Sequence, residues 1–178
     1  MACISKLADA IAYDCDSGAT GLVSALIINK ADIASFIHDA PNTRITNITL
    51  STGAKAYKID TVKRSLVLSE TLKVNDGAPN AYSHSASIVL TAAPSGALRA
   101  LRTALTNGSF VILARRAGGP VTVYGLYYGM SAVSSDYSSH DNGGWTTVTL
   151  ETPENVIGED TILVERDVYD ALYTAAVG

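Results

Sequence analysis

Three histidines, two cysteines and a scatter of hydroxyl and carboxyl side chains are the groups in this sequence that could do chemistry. His84 follows Ser83, residue types that suit a base and its nucleophile. Neighbours on a strand, however, point to opposite faces and cannot share the hydrogen bond that such a pair requires. His84 therefore reads as a structural histidine. Asp136, His140 and Asp141 fall in a Ser-, Asp- and Gly-rich stretch over 134–144, and carboxylate and imidazole together suit several divalent cations. Their spacing does not reproduce the alternating oxygen ligands of a calcium loop, so a solvated loop is the simpler reading. His38-Asp39, ahead of Pro41-Asn42, reads as a turn. Cys3 and Cys15 lack the close Cys or His companion that zinc sites use, which leaves two reduced or packed thiols. Gly18 to Gly21 and Gly125 to Gly129 lack the Gly, Lys and Ser/Thr order of a nucleotide loop. No catalytic, metal or cofactor constellation emerges, and the expectation is a chain that is not an enzyme and needs no cofactor.

The composition favours assembly over chemistry. The 178 residues are 47% hydrophobic, 17% charged and 7% aromatic, which suits one globular domain. Soluble domains usually carry about 25% charged residues, so a surface this poor in charge is built from Ser, Thr, Gly and Asn or is covered by other protein. The net charge of -4 argues against a general nucleic-acid binder, which needs surplus Lys and Arg to displace counterions from phosphates. The charge is divided along the chain. Residues 1–116 hold 12 basic and 8 acidic residues, a net +4, whereas 117–178 hold Arg166 against nine acids, a net -8. Opposite charge on two parts of one subunit suits head-to-tail or side-by-side association of copies. The start of the chain lacks the pattern of a secretory signal and no apolar run approaches about 18 residues, so folding in a cytoplasm without a membrane span is expected.

The elements that position these groups are mostly strands. Ile4, Leu7 and Ile11 are spaced for one or two helical turns, and the apolar, β-branched run from Leu22 to Ile33 predicts a buried strand. Arg44 to Ser51 alternates and is expected to form a hairpin with Ala56 to Val62 through Ser51-Thr52-Gly53. Ser65 to Val74 and Ser83 to Leu90 form a second pair around the Gly- and Pro-bearing segment 75–80. One helix starts after Ser95 as N-cap and places Leu98, Leu101 and Leu105 on one face; burying all three would contribute roughly 1.5–3 kcal/mol each. On this reading Leu101→Asp should unfold the helix, and Gly108 ends it with a residue that tolerates positive φ. Phe110 to Arg116 and Pro120 to Met130 are predicted strands around Ala117-Gly118-Gly119, followed by strands at Trp145 to Thr152, Ile162 to Val164 and Val168 to Leu172. Many short strands with one flanking helix predict a mainly β fold, an antiparallel barrel or sandwich in a single domain over 1–178.

Three runs carry a resemblance: Phe110 to Arg116; Val121 to Met130 with Gly125 and Gly129 inside it; and Asp141-Asn142-Gly143-Gly144-Trp145 through Thr152. A strand ending in a charged turn, a Gly-containing strand and a polar loop leading to an aromatic strand resemble bacteriophage tail tube proteins, particularly those of phages and prophages of Bacteroides-type hosts. Cys15 through the strand at Leu22, and Ile48 to Tyr57, resemble the same layout, so the likeness covers most of the chain. The resemblance implies a virion protein, assembled in the bacterial host cytoplasm, whose copies close into rings, usually sixfold. The rings stack into a tail tube that phage DNA traverses without specific binding. Its partners would be further copies of itself and other tail proteins such as the tape measure, terminator and baseplate components. Such subunits extend a long hairpin loop onto the next ring, and position between two strands makes Lys73, Asn75, Asp76, Gly77, Pro79, Asn80 and Tyr82 the candidate. The acidic excess would suit a lumen that repels phosphate. Two other readings share the strand pattern: another virion ring component such as a head-to-tail adaptor or baseplate ring, and a carbohydrate-binding or adhesin sandwich with Tyr127, Tyr128, Tyr137 and Trp145 as a sugar platform. An enzyme would need His84 or His140 for its activity.

Overall fold

The computed structural model describes residues 21–40, 43–59, 61, 65–74, 76–77, 80–90, 95–138, 145–153 and 162–177. The expected turns around Ile4 to Ile11, and both cysteines, lie outside the described residues. Among the described residues eleven strands form one mixed, mainly antiparallel sheet: β1 Leu22–Asn29, β2 Ile33–His38, β3 Arg44–Leu50, β4 Tyr57–Ile59, β5 Leu66–Lys73, β6 Ala81–Leu90, β7 Ser109–Arg116, β8 Val121–Tyr124, β9 Met130–Tyr137, β10 Thr146–Glu151 and β11 Ile162–Val164. Helix α1 spans Gly96–Asn107 and α2 spans Arg166–Ala175. The mainly β fold expected from the sequence, an antiparallel barrel or sandwich with one flanking helix, is observed as a β-rich sheet with a helix packed on it; the parallel β3–β11 pairing and the second helix α2 were not expected.

The sheet is organised around β7. One of its edges pairs with β1 over the whole strand, with Leu26 opposite Leu113 and Ile27 opposite Ile112. The other edge is shared, by β8 along Ile112 to Arg115 and by β9 at Ser109 and Phe110. The sheet therefore forks at β7 into two wings, one running through β8, β11 and β3 to β2, the other through β9, β10 and β6 to β5. Because successive side chains on a strand point to opposite faces, the β1–β7 pair feeds two cores at once. Ala25, Phe110, Ile112 and Ala114 pack with Ile88, Val148 and Leu150 of one wing. Leu26, Ile28, Val111 and Leu113 pack with Ile45, Val121, Val123 and Tyr169 on the other side. The unbroken apolar runs in β1 and β7 are explained by this burial on both faces.

Four elements differ from the sequence expectation. The strand expected to reach Ile33 stops at Asn29, whose side-chain amide donates to the Asp32 carboxylate at 2.7 Å and fixes a 3-10 turn over Lys30–Asp32. The hairpin between 44–51 and 56–62 does not form. β3 pairs with β2 and β11, while β4 crosses to the edge of β1, with Ala25 opposite Ile59. Alternation marks a strand but not its partner. The strand expected over 120–130 is broken by a turn in which Gly125 and Gly129 adopt φ of 71° and 72° and the Gly129 N–H donates to the Gly125 carbonyl. Finally, 168–172 is not a strand but part of α2, where Val168 and Leu172, and Tyr169 and Tyr173, repeat at the helical spacing of four.

The first helix forms where expected. The Ser95 hydroxyl accepts a hydrogen bond from the Leu98 N–H at 3.2 Å, and Ser95→Ala is expected to cost about 0.5–2 kcal/mol in denaturant titration. The leucine stripe is only partly used, however. Leu105 is buried and Leu98 half-buried, but Leu101 is 49% exposed. Leu101→Asp is therefore not an unfolding substitution. Gly108 is also not in the left-handed region, with φ of -92°. Glycine is required there for space, since a Cβ would run into the Phe110 ring and lie 2.9 Å from the Ala104 carbonyl oxygen.

Candidate assembly surface

The buried polar groups hold elements together. His84 is fully buried, and its Nδ1 accepts a hydrogen bond from the Gly125 backbone N–H at 3.0 Å. That assigns the neutral tautomer with its proton on Nε2, which faces Glu70 Oε2 at 3.4 Å. The His84 N–H donates to Thr152 Oγ1, and the Ser83 hydroxyl bonds the same oxygen at 3.1 Å. The Ser83 hydroxyl and the His84 ring therefore serve different partners, as strand alternation requires. The ring, set edge-on to Tyr124 at 5.2 Å, links β6, β5 and the turn after β8.

His38 bonds the Tyr127 hydroxyl through Nε2 at 2.8 Å, and Phe36, His38 and Tyr127 form a three-ring cluster with centroids 5.5–6.0 Å apart. Asp39 closes the expected turn, its carboxylate accepting from the Thr43 and Arg44 N–H groups at 2.8 and 3.1 Å. Partial desolvation raises its pKa, but these bonds, the Thr43 hydroxyl and the Arg44 charge outweigh that and leave it below the ordinary 3.8. The sign follows directly: the turn gains its full stabilisation above that ordinary value and loses it as pH falls through the depressed one. Tyr169 behaves in the opposite sense. Burial raises its pKa above 10.0, only partly offset by the hydrogen bond to Ser24, so its contribution is complete below pH 10.0 and declines above it.

Asp136 is exposed on β9, while His140 and Asp141 lie outside the described residues. Among the described residues no three His, Cys, Asp or Glu side chains gather to hold a metal. No described helix is long and apolar enough to cross a membrane. The four aromatics proposed as a platform are exposed but separated: Tyr127 and Tyr128 precede β9, whereas Tyr137 ends it and lies beside Trp145. The length of β9, Met130–Tyr137, separates the two pairs.

The surface features suited to contact with protein lie elsewhere. β5 and β6 pair from Leu66–Ile88 out to Lys73–Ala81, leaving only 74–80 as the connecting loop. From Ser69 to Leu72 both faces of β5 are exposed, but its partner β6 stays buried through His84 and Ser83, so only the end of the hairpin, from Leu72 to Tyr82, extends past the core as a short arm. Of the candidate loop residues, Lys73 and Tyr82 sit in the arm's strands, Asp76 and Gly77 form its turn with Gly77 at φ 85°, and Asn80 leads back into β6. Asn75 and Pro79 are outside the described residues. Leu72, Val74 and Tyr82 give the arm an apolar end, with Val74 72% exposed.

Two depressions flank the helices on opposite sides of the β1–β7 layer. A groove of about 690 Å³ runs between α1 and the ends of β1, β4 and β6, lined by Ile27, Ile59, Ile88, Leu98, Leu101 and Lys58 among others. A smaller cleft of about 430 Å³ lies between α2 and β3, with Ile48, Val168, Ala171 and Leu172 as its apolar part and Glu165 and Asp167 as its charges. The described carboxylates of 117–178 likewise fall into two groups, Asp136 and Glu151 on β9 and β10, and Glu165, Asp167 and Asp170 around α2. Sequence reading missed both depressions, because strand and helix periodicity do not say which apolar side chains remain uncovered. Comparison with family models, curated proteins and solved structures gives no match.

Proposed function

We propose that this chain is a structural subunit whose copies close into rings, and that stacked rings form the tail tube of a bacteriophage, a conduit for its DNA. The observation that carries the reading is the outer strand β5 and the short β5–β6 arm at its end, with Val67, Leu72, Val74 and Tyr82 exposed on a domain of only 17% charged residues. Exposed apolar side chains on an end strand invite pairing with another chain, and a closed ring satisfies them without open-ended aggregation. Two further features support it. Among the described residues the strand order ends at β2 and β5, each with an outer edge that a sibling sheet could take, and the arm is the segment that the resemblance would send onto a neighbouring ring. Asp136 and Glu151, on the β9–β10 wing, are the carboxylates this reading assigns to a phosphate-repelling lumen.

Negative-stain microscopy of the purified chain is expected to show annuli with a central hole, and stacks of them at higher concentration. Replacing Val67 and Leu72 together with lysine should abolish the annuli while leaving the circular dichroism spectrum intact, because both side chains are about half exposed. A wild-type chain that sediments as a monomer at every concentration would overturn the reading.

A further inference from the structure

Two of the three histidines grip one turn from opposite wings of the sheet. The turn runs from Gly125 to Gly129, with both glycines at positive φ and the Gly129 N–H closing it on the Gly125 carbonyl. Its first amide, the Gly125 N–H, donates to Nδ1 of the fully buried His84 on β6, and the hydroxyl of Tyr127 bonds Nε2 of His38 on β2. Leu126 packs in one core and Met130, which follows the turn, in the other. The turn is thus a link between the two wings.

The two holds answer a proton differently. A phenol oxygen both donates and accepts, so the Tyr127 hydroxyl keeps its bond to a charged His38 by accepting from Nε2–H. A backbone N–H only donates. With a proton on Nδ1 of His84, two donors face each other across 3.0 Å and the bond to Gly125 is lost. The other ring nitrogen gains, because Nε2 faces Glu70 Oε2 at 3.4 Å and a positive ring turns that contact into an ion pair. From β8, Tyr124 meets the ring edge-on at 5.2 Å, and Arg116 at the end of β7 reaches the Tyr124 hydroxyl at 3.3 Å. Arg116 opposes a second positive charge nearby, but it contacts Tyr124, whereas Glu70 contacts Nε2 itself. After β10, Thr152 offers the His84 backbone an uncharged hydroxyl.

We propose that His84 is a proton-operated latch between the wings. The neutral ring holds the turn at Gly125; a proton taken from solvent at Nδ1 passes the ring to Glu70 on β5 and releases that end of the turn, while His38 keeps Tyr127 on β2. Glu70 makes this a switch and not an acid collapse, since the charged ring stays paired inside its own wing. The Tyr127–Tyr128 segment, already about 43% exposed, is then tied to β2 alone. The latch operates within one copy of the chain and stands whether or not copies form rings.

Hydrogen exchange read by mass spectrometry on the full chain tests it, with rates corrected for the intrinsic effect of pH. Between pH 8 and pH 5, the interval in which histidine ordinarily changes charge, the peptide spanning 122–130 is expected to lose about tenfold in protection. The β7 peptide over 109–116 should keep its protection. His84→Asn places Oδ1 where Nδ1 stood, an acceptor for Gly125 that does not titrate, and should hold the turn equally at both pH values. Glu70→Gln removes the charge that receives the imidazolium and should move the loss to lower pH. If His84→Asn lacks the wild-type circular dichroism spectrum, Glu70→Gln decides alone. Wild-type protection that is the same at both pH values overturns the latch. So does an equal loss over 109–116, the mark of whole-domain acid unfolding, or a loss that His84→Asn retains or Glu70→Gln leaves at the wild-type pH.

Discussion

Leu113→Ala is expected to lower the unfolding free energy by about 2–5 kcal/mol, whereas Leu101→Ala should cost less than about 1 kcal/mol. Both positions are leucines in a regular apolar pattern. Leu113 lies in the doubly covered centre of β7, fully buried between Leu26 and Val123, and the truncated side chain would leave a cavity that the flanking strands β1 and β8 cannot collapse to fill. Leu101 loses contacts along one side only. Urea titration of the two variants, followed by circular dichroism in protein kept monomeric by dilution, measures the difference. Equal losses would mean that α1 is packed more deeply than its exposure indicates.

His84→Leu carries the second large effect. Leucine approximates the ring's volume but removes the acceptor for the Gly125 N–H, which sits in a turn that Gly125 and Gly129 can form only in the left-handed region. A buried N–H left without a partner costs about 1–3 kcal/mol. At roughly 2–4 °C per kcal/mol for a chain of this size, the loss is readily seen in a thermal melt. Glu70→Gln is the informative control. Its amide oxygen still accepts from Nε2, so a drop under about 1 kcal/mol is expected, and a larger one would show that the carboxylate charge, not the acceptor, holds the ring.

Much of the fold was legible because burial imposes period. β10 alternates buried and half-buried residues from Thr146 to Glu151 as its sequence does, and β7 reads as one apolar run because both of its faces are covered. The helix beginning after Ser95 announced itself by its cap. What failed was partner choice and interruption. Nothing in Arg44 to Val62 says that β4 will leave β3 for β1, since both pairings place the same residues inward. Val168 to Leu172 is β-branched and aromatic enough for a strand, and only the matching pairs four apart reveal a helix. The surface was least legible. The arm's turn and its flanking strands could be placed from Gly77 and the alternation around it, but the exposure of Leu101 depends on what α1 lies against, which no local pattern encodes.

The fork at β7 also dictates when the chain can fold during its synthesis. β1 emerges from the ribosome some eighty residues before β7, the strand that covers its other edge, so neither core can close until Arg116 has been made. At about 5–20 residues per second that is a wait of several seconds, during which Leu26, Ile28 and their neighbours remain open to chaperones. Only after translation passes β7 does a chain exist that could recognise a sibling.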